Sequence, residues 1–473
     1  MPTASDGLNR AQRAAVTHPG GPLVIVAGAG TGKTRTLTRR FAWLVEQGVA
    51  ADEVLALTFS SAAAAEMRER LEALIEVPYE ELHVGTFHSF CSRLLADEAL
   101  EAGLDPFFTP VTPADRLALL LDRQEELRLR HHEIRGNPAP LLASFVSRID
   151  RLKDEMVGAE RFHEYAERMV DRCAGEDDAA RAHAARELEF AGVYADHDRL
   201  LAEQGALDFG ELIARAYSLL HEHPHVRRRV AERFRHVLVD EYQDTNFAQG
   251  MLLGLLATEH HDITVVGDDD QAIYRFRGAS RKNLEAFVEE FPEAETVSLE
   301  RNYRSGQRIL DAARAVVEPT ERLDKRLKGR QGGEVRFWRC QSERAQAQAV
   351  AAEAERLVTG DGVAPDRVAV LVRSVRHEGA TVGAALEERA LPFRLSGSAA
   401  YFQRAEVRDV LAWLRLLADA TDSGAVVRAL SRPPIELRSV DVARLTQHAR
   451  RRKLDMPSAV AAGLEGPQLS PEG

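Results

Sequence analysis

Ala27-Gly28-Ala29-Gly30-Thr31-Gly32-Lys33-Thr34 lies between an apolar run, Leu23-Val24-Ile25-Val26, and a helical pattern that begins at Leu37 and Phe41. Strand, glycine loop, Lys-Thr and helix is the layout of a phosphate-binding loop. Glycines let the backbone N–H groups curl around phosphate oxygens, and the helix N-terminus adds a favourable dipole. In such a loop Lys33 reaches the β- and γ-phosphates and the Thr34 hydroxyl ligates Mg²⁺. Lysine is scarce in this chain (six, at 33, 153, 282, 325, 328 and 453), so its presence in that slot carries weight. The usual pattern G-x-x-x-x-G-K-[ST] has Gly where this chain has Ala27.

A phosphate-loop enzyme needs a second acidic strand end to hold Mg²⁺ and orient water. Val237-Leu238-Val239 is a short continuous apolar run, as expected of a strand buried on both faces, and it ends in Asp240-Glu241. Asp240 is the candidate metal ligand beside Thr34, and Glu241 the candidate base. A further run, Ile263-Thr264-Val265-Val266, ends in Gly267-Asp268-Asp269-Asp270-Gln271. The neutral amide of Gln271 can bond both a γ-phosphate oxygen and water, so it is a candidate sensor of nucleotide state.

These three motifs and four further ones together resemble a superfamily 1 DNA helicase of the UvrD/Rep/PcrA type. Leu8-Asn9-Arg10-Ala11-Gln12 resembles that family's adenine-reading Q motif, and Ala27–Thr34 its motif I, which tolerates Ala at 27. Thr58-Phe59-Ser60 with Ala63-Ala64-Ala65-Glu66-Met67 resembles motif Ia, and Gly85-Thr86-Phe87-His88-Ser89 the GTFHS element. Asp240-Glu241-Tyr242-Gln243-Asp244-Thr245-Asn246 resembles motif II. Gly267–Gln271 with Ala272-Ile273-Tyr274-Arg275-Phe276-Arg277-Gly278-Ala279 resembles motif III, and Leu299-Glu300-Arg301-Asn302-Tyr303-Arg304-Ser305 motif IV. Ser61-Ala62 replaces the family's Asn-Lys in motif Ia, which removes one phosphate contact. Phe276 stands where Trp is commoner.

The resemblance implies ATP and Mg²⁺ as cofactors, and single-stranded DNA and single-strand/duplex junctions as partners. It implies 3′→5′ movement with duplex unwinding, in repair or recombination. Lys33, Glu241, Gln271 and Arg304 would be catalytic, Arg304 reaching the γ-phosphate from a second unit when a cleft closes. Gln12, Ala27–Thr34, Arg35 and Tyr303 would hold ATP. Phe59, Tyr274 and Phe276 would stack on bases, while Thr86 and His88 bond backbone phosphate and Arg277 bridges to the nucleotide side. The family's motifs V and VI have no counterpart before Gly473, so the chain resembles the first two-thirds of such a helicase. As written, it is expected to unwind nothing alone, with the part beyond about 301 the least stable. Two alternatives stand: the motor portion of a RecB- or AddA-like helicase–nuclease, and an ATP- and DNA-binding fragment without unwinding.

The 473 residues suffice for about three domains. The apolar runs at 23–26, 54–57, 82–84, 237–239 and 263–266 alternate with helical stretches, which predicts an α/β fold with a parallel, RecA-like sheet. That unit should comprise residues 1–100 and 206–300. Residues 101–205 have no comparable strand, and Leu117, Leu120, Leu121, Phe145, Ile149 and Leu152 recur at helical spacing. They are expected to form a helical insertion. A second, incomplete RecA-like unit is expected over 301–420, with strands at Glu334–Cys340, Val368–Val372 and Phe393–Leu395. Another helical insertion should start within 421–473.

With 62 basic and 74 acidic residues the net charge is −12, which gives no support to a generally basic nucleic-acid surface. Three scattered cysteines, Cys91, Cys173 and Cys340, fit a reducing cytoplasm and offer no four-ligand metal cluster. No apolar run approaches the roughly 20 residues of a membrane span, and no signal-peptide pattern opens the chain. His221-Glu222-His223-Pro224-His225 reads as a solvated loop rather than a metal site. The basic runs at 227–229 and 450–453 read as solvated helix faces.

Overall fold

The computed structural model describes residues 3–76, 78, 81–134, 136–274, 278, 282–320, 322, 323, 325–396, 405–452, 454–461, 469 and 470. The chain divides into two compact units, Met1–Val335 and Arg336–Gly473.

Ten strands are present among the described residues: β1 (Leu23–Ala27), β2 (Val54–Thr58), β3 (His83–Thr86), β4 (Thr109–Val111), β5 (Ala206–Asp208), β6 (His236–Val239), β7 (Ile263–Gly267), β8 (Glu295–Leu299), β9 (Arg301–Gly306) and β10 (Lys328–Arg330). Six of them form one sheet in the order β3-β2-β6-β7-β1-β8, every pair parallel. All five strands expected from the apolar runs are in this sheet, so the α/β reading holds.

Side-chain alternation divides the core between the two faces. Val24, Val26, Leu55, Leu57, Val237 and Val239 point to one face, packed with Phe87, Leu212, Leu252 and Phe287 from four helices. Leu23, Ile25, Val54, Ala56 and Leu238 point to the other, against Leu37, Phe41 and Met67. A strand buried on both faces needs apolar residues at every position, which is why these runs are unbroken. β8 carries no continuous apolar run to read: Glu295 and Thr296 are exposed, and only Leu299 is buried.

The region 101–205 is helical as expected, with helices Pro113–Asp122, Ala139–Asp154, Ala159–Cys173 and Asp178–Glu203. Leu120, Phe145 and Ile149 lie in its separate core with Phe190 and Tyr194. One strand was not anticipated there: β4 pairs in parallel with β5 and ties the insertion's two ends together. Beside this ladder lies a buried ionic knot. Lys153 Nζ donates to Asp198 and to Asp208 at 2.8 Å each, and Arg116 Nη2 lies 3.6 Å from Asp208. Asp208 also caps helix Phe209–Glu222 by accepting the Glu211 N–H at 2.8 Å. Burial would raise the Asp208 carboxyl, but Lys153 and Arg116 pull it down to about 2.

His221 and Glu222 end helix Phe209–Glu222, and Pro224 begins helix Pro224–Arg233, so the histidine stretch is a helix junction rather than a loop. His223 and His225 face the Glu101 carboxylate at 3.5 and 3.4 Å, a half-exposed polar contact. No described helix is long and apolar enough to cross a membrane.

Residues 301–335 pack with the first compact unit. One expectation about the later part of the chain fails. The three strands expected at 334–340, 368–372 and 393–395 form no ladder among the described residues. Phe337 and Leu371 are 91% and 95% exposed, so these runs lack a partner at matching register. What the second unit does contain is helical, including Glu343–Glu355, Ala380–Glu387 and Ala405–Ala418, with a small core of Ala347, Ala351, Leu386 and Leu391.

Candidate nucleotide-binding site

Open parallel sheets bind ligands beyond the carboxyl ends of their strands, at the point where strand order reverses. β1 is such a point, flanked by β7 and β8, and β6 lies on the far side of β7. The segments after β1, β6 and β7 therefore meet, although Lys33 and Glu241 are 208 residues apart in sequence.

Gly30 and Gly32 take φ of +73° and +89°, a region open to glycine, and Gly32 stands at the N-cap of helix Lys33–Glu46. Lys33 begins that helix, and its ammonium donates to Glu241 Oε2 at 2.7 Å. It is buried, not a solvated loop lysine. The next residue, Thr34, donates its hydroxyl to Asp240 Oδ2 at 3.1 Å. Burial, with the Glu241 charge beside it, pushes the Asp240 carboxyl up to about 6 against the pull of Lys33. A buried carboxylate next to a hydroxyl is a hard-oxygen donor set that fits Mg²⁺.

Glu241 itself has φ of +51°, an uncommon state for a residue with a side chain. Its Oε2 also accepts from Gln243 Nε2 at 2.8 Å, and Gln243 Oε1 accepts the Asp268 N–H at 2.9 Å. Asp268 in turn accepts from Gln271 Nε2 at 2.5 Å. Lys33, Glu241, Gln243, Asp268 and Gln271 are thus linked by successive hydrogen bonds, the step from Gln243 to Asp268 running through the Asp268 backbone N–H. Gln243 was not singled out by its sequence; it is 1% exposed, and only its place between two strand ends reveals its role.

β9 closes the other side. Tyr303 N–H donates to Gly30 O at 2.8 Å, and Asn302 Nδ2 donates to Ala29 O. Asn302 Oδ1 accepts from the N–H groups of Arg304 and Ser305 at 2.9 and 2.7 Å, which shapes the strand that carries Arg304. A side chain on Gly30 would come within 2.7 Å of Asn302 and Arg304, so the close approach requires glycine. Arg304 therefore belongs to the first compact unit and lines one cleft of about 500 Å³ with Lys33, Thr34, Arg35, Glu241, Gln271 and Tyr303. The volume suits a nucleotide-sized ligand.

Gln12 is turned toward the loop. It accepts the Asn9 N–H at 3.1 Å and donates to Thr31 O at 2.9 Å, so both ends of its amide brace protein backbone. Asn9 Nδ2 donates to the Tyr303 hydroxyl at 2.9 Å, and Arg35 donates to Gly7 O at 3.2 Å.

Of the expected DNA contacts, Phe59 and Tyr274 come together with ring centroids 4.8 Å apart. Thr86 caps helix Phe87–Asp97, its hydroxyl accepting the Ser89 N–H at 3.2 Å. His88 packs edge-on against Phe209 at 5.1 Å. Phe276 and Arg277 lie outside the described residues.

The fold and this cleft define a phosphate-loop α/β protein with a nucleotide-sized site. A family model described as the UvrD/REP helicase N-terminal domain matches residues 8–292, and one for the UvrD-like helicase C-terminal domain matches residues 297–460. The chain belongs to the UvrD/REP helicase family. It is 38% identical over 442 residues to the ATP-dependent DNA helicase UvrD1 of Mycobacterium tuberculosis H37Rv, covering 90% of this chain and 54% of that protein. DNA helicase II of Escherichia coli K12 is 34% identical over 453 residues (94% and 59%), and the ATP-dependent DNA helicase PcrA of Bacillus subtilis 33% over 448 (94% and 57%). The chain spans little more than half the length of these curated relatives. The two family matches meet near 297, close to the expected boundary at 301, whereas compact packing divides at 335.

Proposed function

We propose that this chain carries the motor of an ATP-dependent DNA helicase, coupling hydrolysis to 3′→5′ movement on single-stranded DNA and to opening of single-strand/duplex junctions. One observation carries the reading: the unbroken contacts from Lys33 through Glu241, Gln243 and Asp268 to Gln271, which ends three residues before Tyr274 and its partner ring Phe59. The phosphate-handling groups thus end close in sequence to Tyr274 of the aromatic pair, on the same segment after β7. The family, and the helicase names its relatives carry, support the same reading.

In this mechanism Lys33 and the backbone N–H groups of 28–34 hold the phosphates, leaving Glu241 free to take a proton from water. Thr34 and Asp240 would hold Mg²⁺, which when bound neutralises phosphate charge. Gln271 bonds the γ-phosphate and passes its presence or absence toward Tyr274. Arg304, on the facing wall, meets the charge that develops on the transferred phosphoryl group, a contribution of about 10³–10⁵ in turnover in well-studied cases. Arg35 and Tyr303 flank the base. Phe59, Tyr274 and Phe276 stack on DNA bases, with Thr86, His88 and Arg277 at the strand's phosphates. The work is done in a reducing cytoplasm, in repair or recombination.

Binding of ATP and of a single-stranded oligonucleotide to the purified chain tests this. Each ligand should alter the affinity of the other, as linkage demands. Independent binding of the two would leave a nucleotide site and remove the motor. Within a longer helicase, unwinding that starts from a 5′ rather than a 3′ tail would overturn the polarity.

A further inference from the structure

Asp268, Asp269 and Asp270 follow β7, and the first two are almost wholly buried. Three adjacent carboxylates in such a place repel one another unless cations face them. The cations come from the segment between β9 and β10. Lys325 Nζ donates to Asp268 Oδ1 and Asp269 Oδ1 and lies 3.1 Å from Asp270 Oδ2. Arg322 grips Asp270 with two parallel bonds, Nε to Oδ1 at 2.8 Å and Nη2 to Oδ2 at 2.6 Å. The Leu323 N–H adds a bond to Asp269 Oδ2 at 2.7 Å. Burial alone would lower the Lys325 ammonium, yet Asp268 and Asp269 hold it above its ordinary value. Its side chain is 3% exposed, so the charge is there to serve this cluster.

The two oxygens of Asp268 divide the work. Oδ1 receives Lys325 and, at 3.2 Å, the Asp270 N–H, and Oδ2 receives the Gln271 amide. A carboxylate held at one oxygen by a buried ammonium cannot swing, so the amide on its other oxygen is aimed. We propose that Lys325 is a positioning residue: through Asp268 it sets Gln271 for the γ-phosphate, and it ties the β9–β10 segment, which carries Arg304, to the strand end that senses nucleotide state. The proposal rests on the reading of the cleft as an ATP site. A counterion with no positioning role would serve equally well from any direction; the split of Asp268 between Lys325 and Gln271 is what assigns more to it.

The test compares affinities for ADP and for a non-hydrolysable triphosphate analogue with Mg²⁺. In Lys325→Ala the preference for the analogue over ADP should fall about tenfold while ADP affinity stays within about twofold, because the lost orientation concerns only the γ-phosphate. Lys325→Ala together with Asp269→Asn relieves the surplus negative charge without restoring the hold on Asp268. That double variant should fold at least as well as the single one and still lack the preference. Full recovery of the preference would reduce Lys325 to a counterion, and an unchanged preference in Lys325→Ala would remove it from the relay. If neither variant folds, the residue is structural and the proposal falls. A wild-type chain that binds neither nucleotide would overturn the site itself, a failure distinct from the other three.

Discussion

Gln243 donates to Glu241 and accepts from the backbone of Asp268, so one buried amide spans the acidic end of β6 and the acidic end of β7. Its nitrogen lies 2.8 Å from the carboxylate oxygen that also receives Lys33. Glu241, Lys33 and the end of β7 are therefore parts of one hydrogen-bonded unit. Gln243→Ala should leave the buried Asp268 N–H unpaired and cost about 1–3 kcal/mol in stability. It should also slow ATP turnover, and chemical denaturation alongside steady-state kinetics checks both. A variant as stable and as active as wild type would mean the bridge is incidental.

Lys33→Ala should abolish ATP turnover and leave the fold intact. The ammonium contacts Glu241 rather than the apolar core, and Gln243 remains to satisfy that carboxylate. Circular dichroism and an ATPase assay decide the matter; near-normal turnover would remove the phosphate-loop assignment.

Glu241→Gln keeps the shape of the side chain and deletes the base. Turnover should drop by about 10²–10⁴ with nucleotide affinity close to wild type. Weak binding of Mg·ATP in this variant would instead make Glu241 a metal ligand and reverse its division of roles with Asp240.

Phe59→Ala and Tyr274→Ala should each weaken single-stranded DNA binding by about 1–3 kcal/mol. Because the rings touch, the double variant should lose less than the two single losses combined. Fluorescence anisotropy with a labelled oligonucleotide gives the cycle. Strict additivity would show that the rings act on separate bases.

Asp208 supplies the pH dependence. Its carboxyl sits at about 2 in the folded chain, below the ordinary carboxylate value, so its ionic contacts stabilise above about pH 4 and are lost as pH falls toward 2. The depression corresponds to roughly 2 kcal/mol. Asp208→Asn should therefore be least stable relative to wild type near neutral pH, with the difference shrinking between pH 4 and 2. Urea midpoints across that range measure it, and a difference that grows on acidification would contradict the assignment.

Local signals in the sequence determined much of this protein. Unbroken apolar runs marked five of the six strands of the main sheet, four of them inner strands covered on both faces, and the glycine loop with Lys33 and Thr34 marked the candidate phosphate site because the loop's backbone shape demands glycine. Acids at strand ends followed from the same logic. Tertiary structure alone decided the rest. Gln243, Asn302 and Lys325 are polar residues in a short helical turn, a strand and a connecting segment, and their partners lie 25, 273 and 57 residues away, where no local pattern can show them. β8 was hidden because its residues are mostly exposed. The runs at 334–340, 368–372 and 393–395 have the composition of strands, but composition specifies a tendency and not a partner. A strand exists only where a neighbour offers its hydrogen bonds in register, and that is a property of the folded chain.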